Sequence, residues 1–236
     1  MVTTRSSTTT DGVSPVSPSR ALTNGHSNGH AKSSPSSSRS WSHAPTNWTL
    51  LWLAVSLPLV VWDFIYCLFR PWTMPGGAWH WPIWSPYELY GKVDYVYGWP
   101  AFNEANGFTS AQAFLNVVET AMYGYYAYVY FTEGKAAKGA AANVWTGKTI
   151  EGSAAGKAAI IGFSGAVMTL SKSVLYWLNE YFSNYKNIGH NTFIDLIVLW
   201  VIPNGAWLVG STYMTVSIGN DILKGLKLAT GASKED

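Results

Sequence analysis

Four segments of this chain are each long and apolar enough to cross a lipid bilayer as a helix. They occupy roughly 48–69, 111–131, 158–178 and 193–218. A bilayer-spanning helix needs about 20 mainly apolar residues, more than most helices of a soluble core contain. The composition agrees, because only 12% of the residues are charged and the chain contains 13 Trp and 14 Tyr, which favour membrane interfaces. The predicted fold class is therefore all-α, a polytopic membrane protein with a four-transmembrane-helix bundle.

The chain divides into three parts along its length. Residues 1–45 are rich in Ser, Thr and Pro and have little apolar surface to bury, which predicts a disordered N-terminal tail. Residues 46–222 are the predicted membrane domain, and 223–236 are a C-terminal tail. Basic residues are concentrated in both tails and in the connector after the second span. This distribution predicts that both termini lie in the cytosol.

The connector between the first two spans, 70–110, is long and contains five Trp residues among prolines and glycines. Two interpretations are open. The connector is either an interfacial belt that anchors the protein in the membrane, or a lid over a cavity.

Three ionisable residues lie well inside the predicted spans. Asp63 and Lys172 are each six residues, and Glu119 is eight residues, from the span end on one common side of the bilayer. At a rise of about 1.5 Å per residue, all three lie about 9–12 Å below the same surface. Ionisable groups inside spans usually face a bundle interior or a wet cavity. We therefore expect one shared polar layer.

Two helical stripes extend this layer. The residues that share a face of the second span are Asn116, Glu119, Thr120 and Tyr123, and those that share a face of the last span are Trp200, Asn204, Trp207 and Ser211. Pro203 beside Gly205 is expected to kink the last span and to leave backbone groups that need a polar neighbour.

Lys172 has a structural and a functional interpretation. It either pairs with Asp63 or Glu119 and holds the bundle together, or it contacts a substrate. The polar layer contains two acids, Asp63 and Glu119, but only one amine, Lys172. One acid is therefore left without a cation to pair with, which favours the functional interpretation for Glu119. A carboxyl in such a pocket acts as a general acid or base, and an indole face stabilises a carbocation. This combination indicates proton transfer to and from carbon in a lipophilic substrate.

Other chemistries have no support in the sequence. The single cysteine, Cys67, excludes an intrachain disulfide and a cysteine-based zinc site. The chain has no His cluster and no glycine-rich phosphate loop followed by Lys, so no cofactor and no metal is expected. The net charge of +2 is too small to indicate binding to nucleic acid.

Four stretches resemble the emopamil-binding protein family, also called the EXPERA domain. They are NVVET at 116–120, VLYWLNE at 174–180, the Gly-His pair at 189–190 and IPNGAWLV at 202–209. The resemblance covers about 48–222. It implies a compact helical protein of the endoplasmic reticulum membrane. The best-known member is a sterol Δ8–Δ7 isomerase, and relatives include sterol-binding proteins without demonstrated chemistry.

The resemblance also implies roles for individual residues. Glu119 matches the acid that takes part in proton transfer, Asn204 and Trp207 match residues that line the pocket, and Asp63 stands where the family has a glutamate.

Two positions depart from the family's isomerases. Leu59 stands in place of a histidine, and Met122 stands in place of a threonine. His80, between Trp79 and Trp81, is a candidate replacement for the missing imidazole.

The sequence therefore predicts a membrane isomerase or cyclase that protonates an alkene or epoxide of a sterol or terpenoid. The predicted catalytic residues are Glu119, Asp63, Asn204 and Trp207. The predicted substrate-binding residues are Lys172, Tyr123, Asn116, Trp200, Tyr176 and His80. The alternatives are a non-catalytic lipid-binding or trafficking protein of the same fold, and a small transporter. The expected partners are the lipophilic substrate and the lipid bilayer; a homodimer is left open.

Overall fold

A computed structural model of the chain describes residues 41–137 and 145–231. The predicted disorder of the N-terminal tail lies outside the described residues as far as position 40. The last positions of that predicted tail, 41–45, belong to the fold and contain strand β1 (Ser42–His43). At the other end the final helix continues to Thr230, so most of the described part of the predicted C-terminal tail is helical.

Four long helices dominate the described residues: α1 (Asn47–Leu68), α4 (Phe108–Glu133), α5 (Gly152–Phe182) and α7 (Ile202–Thr230). Short helices α2 (Pro86–Val93) and α3 (Trp99–Asn103) lie between α1 and α4, and α6 (Phe193–Asp195) lies before α7. Strands β2 (Lys135–Ala136) and β3 (Lys148–Glu151) lie between α4 and α5. The side chains of Thr46 and Thr192 cap α1 and α6 by accepting hydrogen bonds from backbone N–H groups.

Three helical segments are long and apolar enough to cross a membrane: Asn47–Leu68, Gly152–Phe182 and the continuous stretch Phe193–Thr230. The second predicted span corresponds to α4. This helix is long enough to cross a membrane, but it is not among the three segments that are also sufficiently apolar. Its apolar character is reduced by Asn116, Glu119 and several tyrosines. The four-span topology therefore stays a prediction, while a mostly helical fold with three candidate spans is observed.

The long helices pack as a bundle in which α4 contacts α1 and α5, and α7 contacts α5 and α1. Small residues of α5 allow the close contact with α4. A Cβ on Gly162 would lie 2.8 Å from the Tyr126 ring, and one on Gly165 would lie 3.2 Å from the Tyr123 ring. Small residues that let a neighbouring helix approach are typical of helix interfaces in membranes.

Successive long helices run antiparallel, as contacts at the two ends show. At one end, β3 pairs antiparallel with both β1 and β2. At this end the buried His43, which precedes α1, contacts Asp221 of α7 (Nδ1–Oδ2, 3.1 Å) and Tyr126 of α4 (Nε2–OH, 2.8 Å). At the opposite end, the Tyr95 backbone N–H donates to the Asn187 carbonyl at 3.1 Å. The α1–α4 and α5–α6 connectors therefore meet at the same end of the bundle.

A π-helical segment, Leu196–Val201, joins α6 to α7 directly before Pro203. Proline has no N–H to donate and its ring crowds the carbonyl four residues earlier, so the preceding turn widens. The Asn204 side-chain amide donates to the Trp200 carbonyl at 2.8 Å. This contact places a polar side chain next to Pro203, while the predicted partner for a backbone group freed by the proline stays a prediction.

The contact between α1 and α7 yields a prediction at Gly210. A Cβ at this position would lie 2.5 Å from ring carbons of Trp52, and an indole ring has no flexible end that can move aside. We expect Gly210→Ala to lower the free energy of unfolding by about 1–3 kcal/mol. Denaturant unfolding in detergent measures this, with Gly124→Ala as the control because a Cβ there meets no atom within 4 Å. Equal losses in both variants would contradict the prediction.

Candidate active site

A cavity of about 450 Å³ lies between α1, α4, α5 and α7, with α2 forming part of its wall. Small-molecule sites in proteins commonly enclose about 300–1,000 Å³. All four predicted catalytic residues line this cavity: Asp63, Glu119, Asn204 and Trp207. Of the predicted substrate-binding residues, Asn116, Lys172 and Tyr176 also line it.

Glu119 and Lys172 form a buried ion pair in the wall. Glu119 Oε1 lies 2.9 Å from Lys172 Nζ, and the two side chains are only 4% and 9% exposed. The other carboxylate oxygen accepts a hydrogen bond from Thr169 Oγ1 at 2.9 Å. Thr169 Oγ1 is also 3.1 Å from the hydroxyl of Tyr123, which is buried behind the wall. Tyr123 therefore supports the acid through Thr169 and does not itself line the cavity.

Asn116 connects this ion pair to the second acid. Lys172 Nζ donates a directed hydrogen bond to Asn116 Oδ1, whereas its contact with Glu119 Oε1 is an ion pair without hydrogen-bond geometry. Asn116 Nδ2 donates to Asp63 Oδ2 at 3.3 Å. The three residues predicted to share one depth are thus joined in one polar row. The pairing of Lys172 with an acid agrees with its structural interpretation.

Asp63 is the second acid of the row. Its Oδ1 accepts a hydrogen bond from the Tyr87 hydroxyl at 2.7 Å, and no cation lies within 4.0 Å of it among the described residues. Burial raises the pKa of Tyr87, with the nearby Asp63 as a further cause, so this phenol remains a neutral donor. The two acids therefore differ in their electrostatic surroundings.

Aromatic rings form much of the remaining wall, which contains Trp62, Trp177, Trp207, Tyr87, Tyr90, Tyr97 and Tyr176. Trp207 is held by an edge-on contact with Trp52, with ring centroids 5.1 Å apart. Indole and phenol faces attract a nearby cation. The cavity therefore combines two carboxyl groups with surfaces that can stabilise positive charge.

The side-chain amide of Asn204 donates its hydrogen bonds to other groups of the protein. Its Nδ2 donates to the Tyr90 hydroxyl at 3.2 Å and to the Trp200 carbonyl at 2.8 Å. It thus fixes Tyr90 of α2 against the start of α7.

Trp200 lies behind the wall, which corrects its predicted place in a substrate-binding stripe. It is buried, and its indole N–H donates to Asp94 Oδ2 at 2.8 Å. Leu199, Pro203 and Trp207 line the cavity, so the cavity face of this helical stretch begins at Leu199 and not at Trp200. Asp94 also accepts hydrogen bonds from the Tyr176 hydroxyl and, at 3.1 Å, from the Val96 backbone N–H.

Asp94 yields a prediction on pH. Burial raises the pKa of this carboxyl to about 6, against the opposing effect of the hydrogen bonds from Tyr176 and Trp200. Because the folded state holds this proton more tightly than the unfolded chain, its stabilising contribution is complete below about pH 4. It is lost as the pH rises to about 6, and we expect a decrease of up to about 3 kcal/mol in the free energy of unfolding. Unfolding in detergent between pH 4 and 7 measures this.

The Asp94→Asn variant serves as the comparison, because it cannot titrate. We expect a flatter pH profile for the variant than for the unmodified protein. Parallel profiles over this range would contradict the assignment.

His80 does not line the cavity, which is contrary to its prediction as a substrate-binding residue. Its Nδ1 lies 2.9 Å from the Thr73 carbonyl, so this nitrogen is the donor. Its Nε2 is buried and has no hydrogen-bond partner among the described residues. The candidate replacement for a catalytic imidazole is therefore held inside the connector fold.

The connector from 70 to 110 has features of both interpretations. Residues of α2 and the nearby Tyr97 line the cavity, which agrees with a lid. Trp72, Trp79 and Trp81 have exposed side chains, which are available for a membrane interface.

Several cavity residues are absent from the sequence-based predictions, namely Tyr87, Tyr90, Tyr97, Gln112 and Trp177. For α5 a signal was present: Thr169, Lys172, Ser173 and Tyr176 follow the spacing of one helical face, and all four line the cavity. Tyr87 and Tyr90 also share a face of the short helix α2, but spacing within a connector helix does not indicate which other helices that face covers.

No protein-family model, no curated protein and no solved structure matches this chain. Within 41–137 and 145–231, no three His, Cys, Asp or Glu side chains are grouped as ligands for a metal ion.

Proposed function

We propose that this protein is a membrane isomerase or cyclase that moves protons to and from carbon in a sterol or other terpenoid. The observation that carries the proposal is one apolar cavity of about 450 Å³ with two carboxyl groups in its wall, the half-buried Asp63 and the buried Glu119, beside several aromatic faces. A purely structural ion pair would require only one of these acids, whereas acid–base chemistry requires a donor and an acceptor.

The proposed reaction balances without a cofactor. One carboxylic acid transfers its proton to an alkene carbon, and a carbocation forms at the neighbouring carbon. The second carboxylate removes a proton from an adjacent carbon, and the double bond re-forms in a shifted position. With an epoxide, the proton goes to oxygen, a C–O bond breaks, an internal alkene closes a C–C bond, and a final deprotonation yields a cyclic alcohol.

The surroundings of the two acids support an assignment of these roles. Asp63 has no cation within 4.0 Å among the described residues, so its carboxylate form is stabilised by hydrogen bonds from Tyr87 and Asn116 and not by an ion pair. Of the two acids it is therefore the one that carries a proton at the lower cost. Glu119 pairs with Lys172 at 2.9 Å, which stabilises the carboxylate. Asp63 is therefore the proposed proton donor and Glu119 the proposed acceptor. Lys172 acts through Glu119 and Asn116 rather than on the substrate.

The aromatic wall and Asn204 complete the proposed site. Trp207 presents its indole group to the cavity, where the ring face stabilises the carbocation. Asn204 is a positioning residue, since its amide holds Tyr90 of α2 in the wall.

The cellular setting is part of the proposal. We propose four spans in the endoplasmic reticulum membrane, with α4 as the fourth, because α4 packs against α1 and α5, turns its polar face to the cavity and has exposed apolar side chains such as Phe114 and Phe131. The concentration of basic residues in the tails and in the α4–α5 connector supports cytosolic termini. The choice of compartment rests on the resemblance to the emopamil-binding protein family.

The proposal is tested with membranes that contain the full-length protein, incubated in deuterated water with a Δ8-sterol and, separately, with a polyprenyl epoxide. We expect either a shifted alkene with one carbon-bound deuterium or a cyclic alcohol of unchanged mass, as read by mass spectrometry. Glu119→Gln is expected to reduce product formation about 10²- to 10⁴-fold. Glu133→Gln, an exposed acid on the same helix, is the matched control with unchanged turnover.

The alternative is a non-catalytic lipid-binding protein of the same fold. Tight retention of one lipid without any product, equally in the Glu119→Gln variant, would contradict the enzyme and favour this alternative.

A further inference from the structure

Two hydrogen-bond donors in the cavity wall have no acceptor in the described part of the chain. They are Gln112 Nε2 on α4 and Trp177 Nε1 on α5, and both atoms are buried. Buried donors are nearly always paired, because a donor removed from water without a new acceptor costs free energy. Two such donors in one cavity indicate a group that the protein itself does not supply.

The antiparallel packing of α4 and α5 places these donors at one level of the cavity. Glu119 contacts Thr169, and Asn116, one turn earlier on α4, contacts Lys172, one turn later on α5. A further turn in the same directions reaches Gln112 on α4 and the pair Tyr176–Trp177 on α5. The donors therefore share a level about 6 Å from Asn116 and about 10 Å from Glu119, measured along the helix axis.

This level lies toward the end of the bundle where the α1–α4 connector covers the cavity. Tyr176 offers no free proton there, because its hydroxyl donates to Asp94. Gln112 and Trp177 are thus the unpaired donors, and both are neutral. Neutral N–H donors suit an uncharged oxygen acceptor.

We propose that the substrate is an oxygenated terpenoid whose ketone, ether or hydroxyl oxygen accepts hydrogen bonds from Gln112 Nε2 and Trp177 Nε1. This inference rests on the proposed function, since it takes the cavity to be the lipid site. The two donors hold the oxygen at the connector end, so the hydrocarbon skeleton extends to Asp63 and Glu119. The oxygen bound here is separate from the reacting carbon, because it lies one to two turns from the two acids.

The experiment measures binding by the full-length protein in detergent, with native mass spectrometry reading the bound fraction at each probe concentration. One probe pair is 5α-cholestan-3-one and 5α-cholestane, and the other is farnesylacetone and the hydrocarbon with CH₂ in place of its carbonyl. For at least one skeleton we expect the ketone to bind about tenfold more tightly than its hydrocarbon. In the double variant Gln112→Met/Trp177→Phe this preference is expected to disappear while hydrocarbon affinity is retained.

Trp79→Phe, an exposed indole outside the cavity wall, is the control and keeps the preference. Equal affinity of ketone and hydrocarbon, absence of binding by both ketones, or a preference that survives in the double variant would each overturn the proposal. The deuterium assay separates the two ideas. Turnover that occurs without this preference contradicts only the oxygen site, and the preference without turnover contradicts only the enzyme.

Discussion

Asp63→Asn is expected to lower turnover in the deuterium assay by about 10²- to 10⁴-fold, the usual contribution of a general acid. The substitution keeps the size of the side chain and removes the transferable proton. The amide oxygen can still accept the hydrogen bond that the Tyr87 hydroxyl makes at 2.7 Å. The loss should therefore appear in the rate constant of the chemical step rather than in lipid binding.

Two further variants make this result specific. Tyr87→Phe removes only a hydrogen bond to the acid, so we expect a much smaller loss, about tenfold. Asp195→Asn changes an exposed acid outside the cavity and should leave turnover unchanged. If Asp63→Asn retained normal turnover while Glu119→Gln abolished it, Asp63 would not be the proton donor.

Lys172→Met is expected to lower the free energy of unfolding by about 3–5 kcal/mol. Methionine replaces the length and apolar stem of lysine, but Glu119 then remains buried at 4% exposure without a cation. Asn116 Oδ1 also loses the hydrogen bond from Lys172. The penalty comes mainly from the uncompensated carboxylate, so removing that charge should restore much of the stability.

The double variant Lys172→Met/Glu119→Gln tests this reason. We expect it to be more stable than Lys172→Met alone in denaturant unfolding, because both buried charges are absent. Lys186→Met is the matched control: Lys186 pairs with Glu104 at 2.7 Å on the surface, where the expected loss is below about 1 kcal/mol. A double variant that is less stable than Lys172→Met would contradict the ion-pair explanation.

The two experiments examine opposite ends of the same polar row. Asp63 lies at the end without a cation, and Glu119 lies at the end with Lys172, while Asn116 bonds to both sides. Substitution at the first end is predicted to affect chemistry, and substitution at Lys172 is predicted to affect stability first.

For most termini of the long helices, the sequence predicts the position to within a few residues. The predicted first span, 48–69, corresponds to α1 at Asn47–Leu68, and the predicted second span lies within α4. These predictions succeed because apolar length and helical periodicity are local properties. Counting residues from the span ends also predicted that Asp63, Glu119 and Lys172 share a level, since the rise per residue of a helix is nearly constant.

Contacts across the irregular connector could not be predicted in this way. Tyr87 and Tyr90 reach the cavity from α2, and Asp94 bonds to Trp200 and Tyr176 from a segment without periodicity. Trp200 was placed on the wrong face for a similar reason, because Leu199 and Pro203 form the cavity face there and Trp200 bonds to Asp94 of the connector.

The sequence by itself thus determined the helical class, the approximate helix bounds and the identity of the acids inside the spans. Only the tertiary structure decided that Lys172 pairs with Glu119, that Asp63 has no cationic partner in the described chain, and that two donors in the wall lack acceptors. The physical reason is that helix formation depends on neighbours along the chain. The partner of a buried polar group depends on which helices and connectors pack beside it.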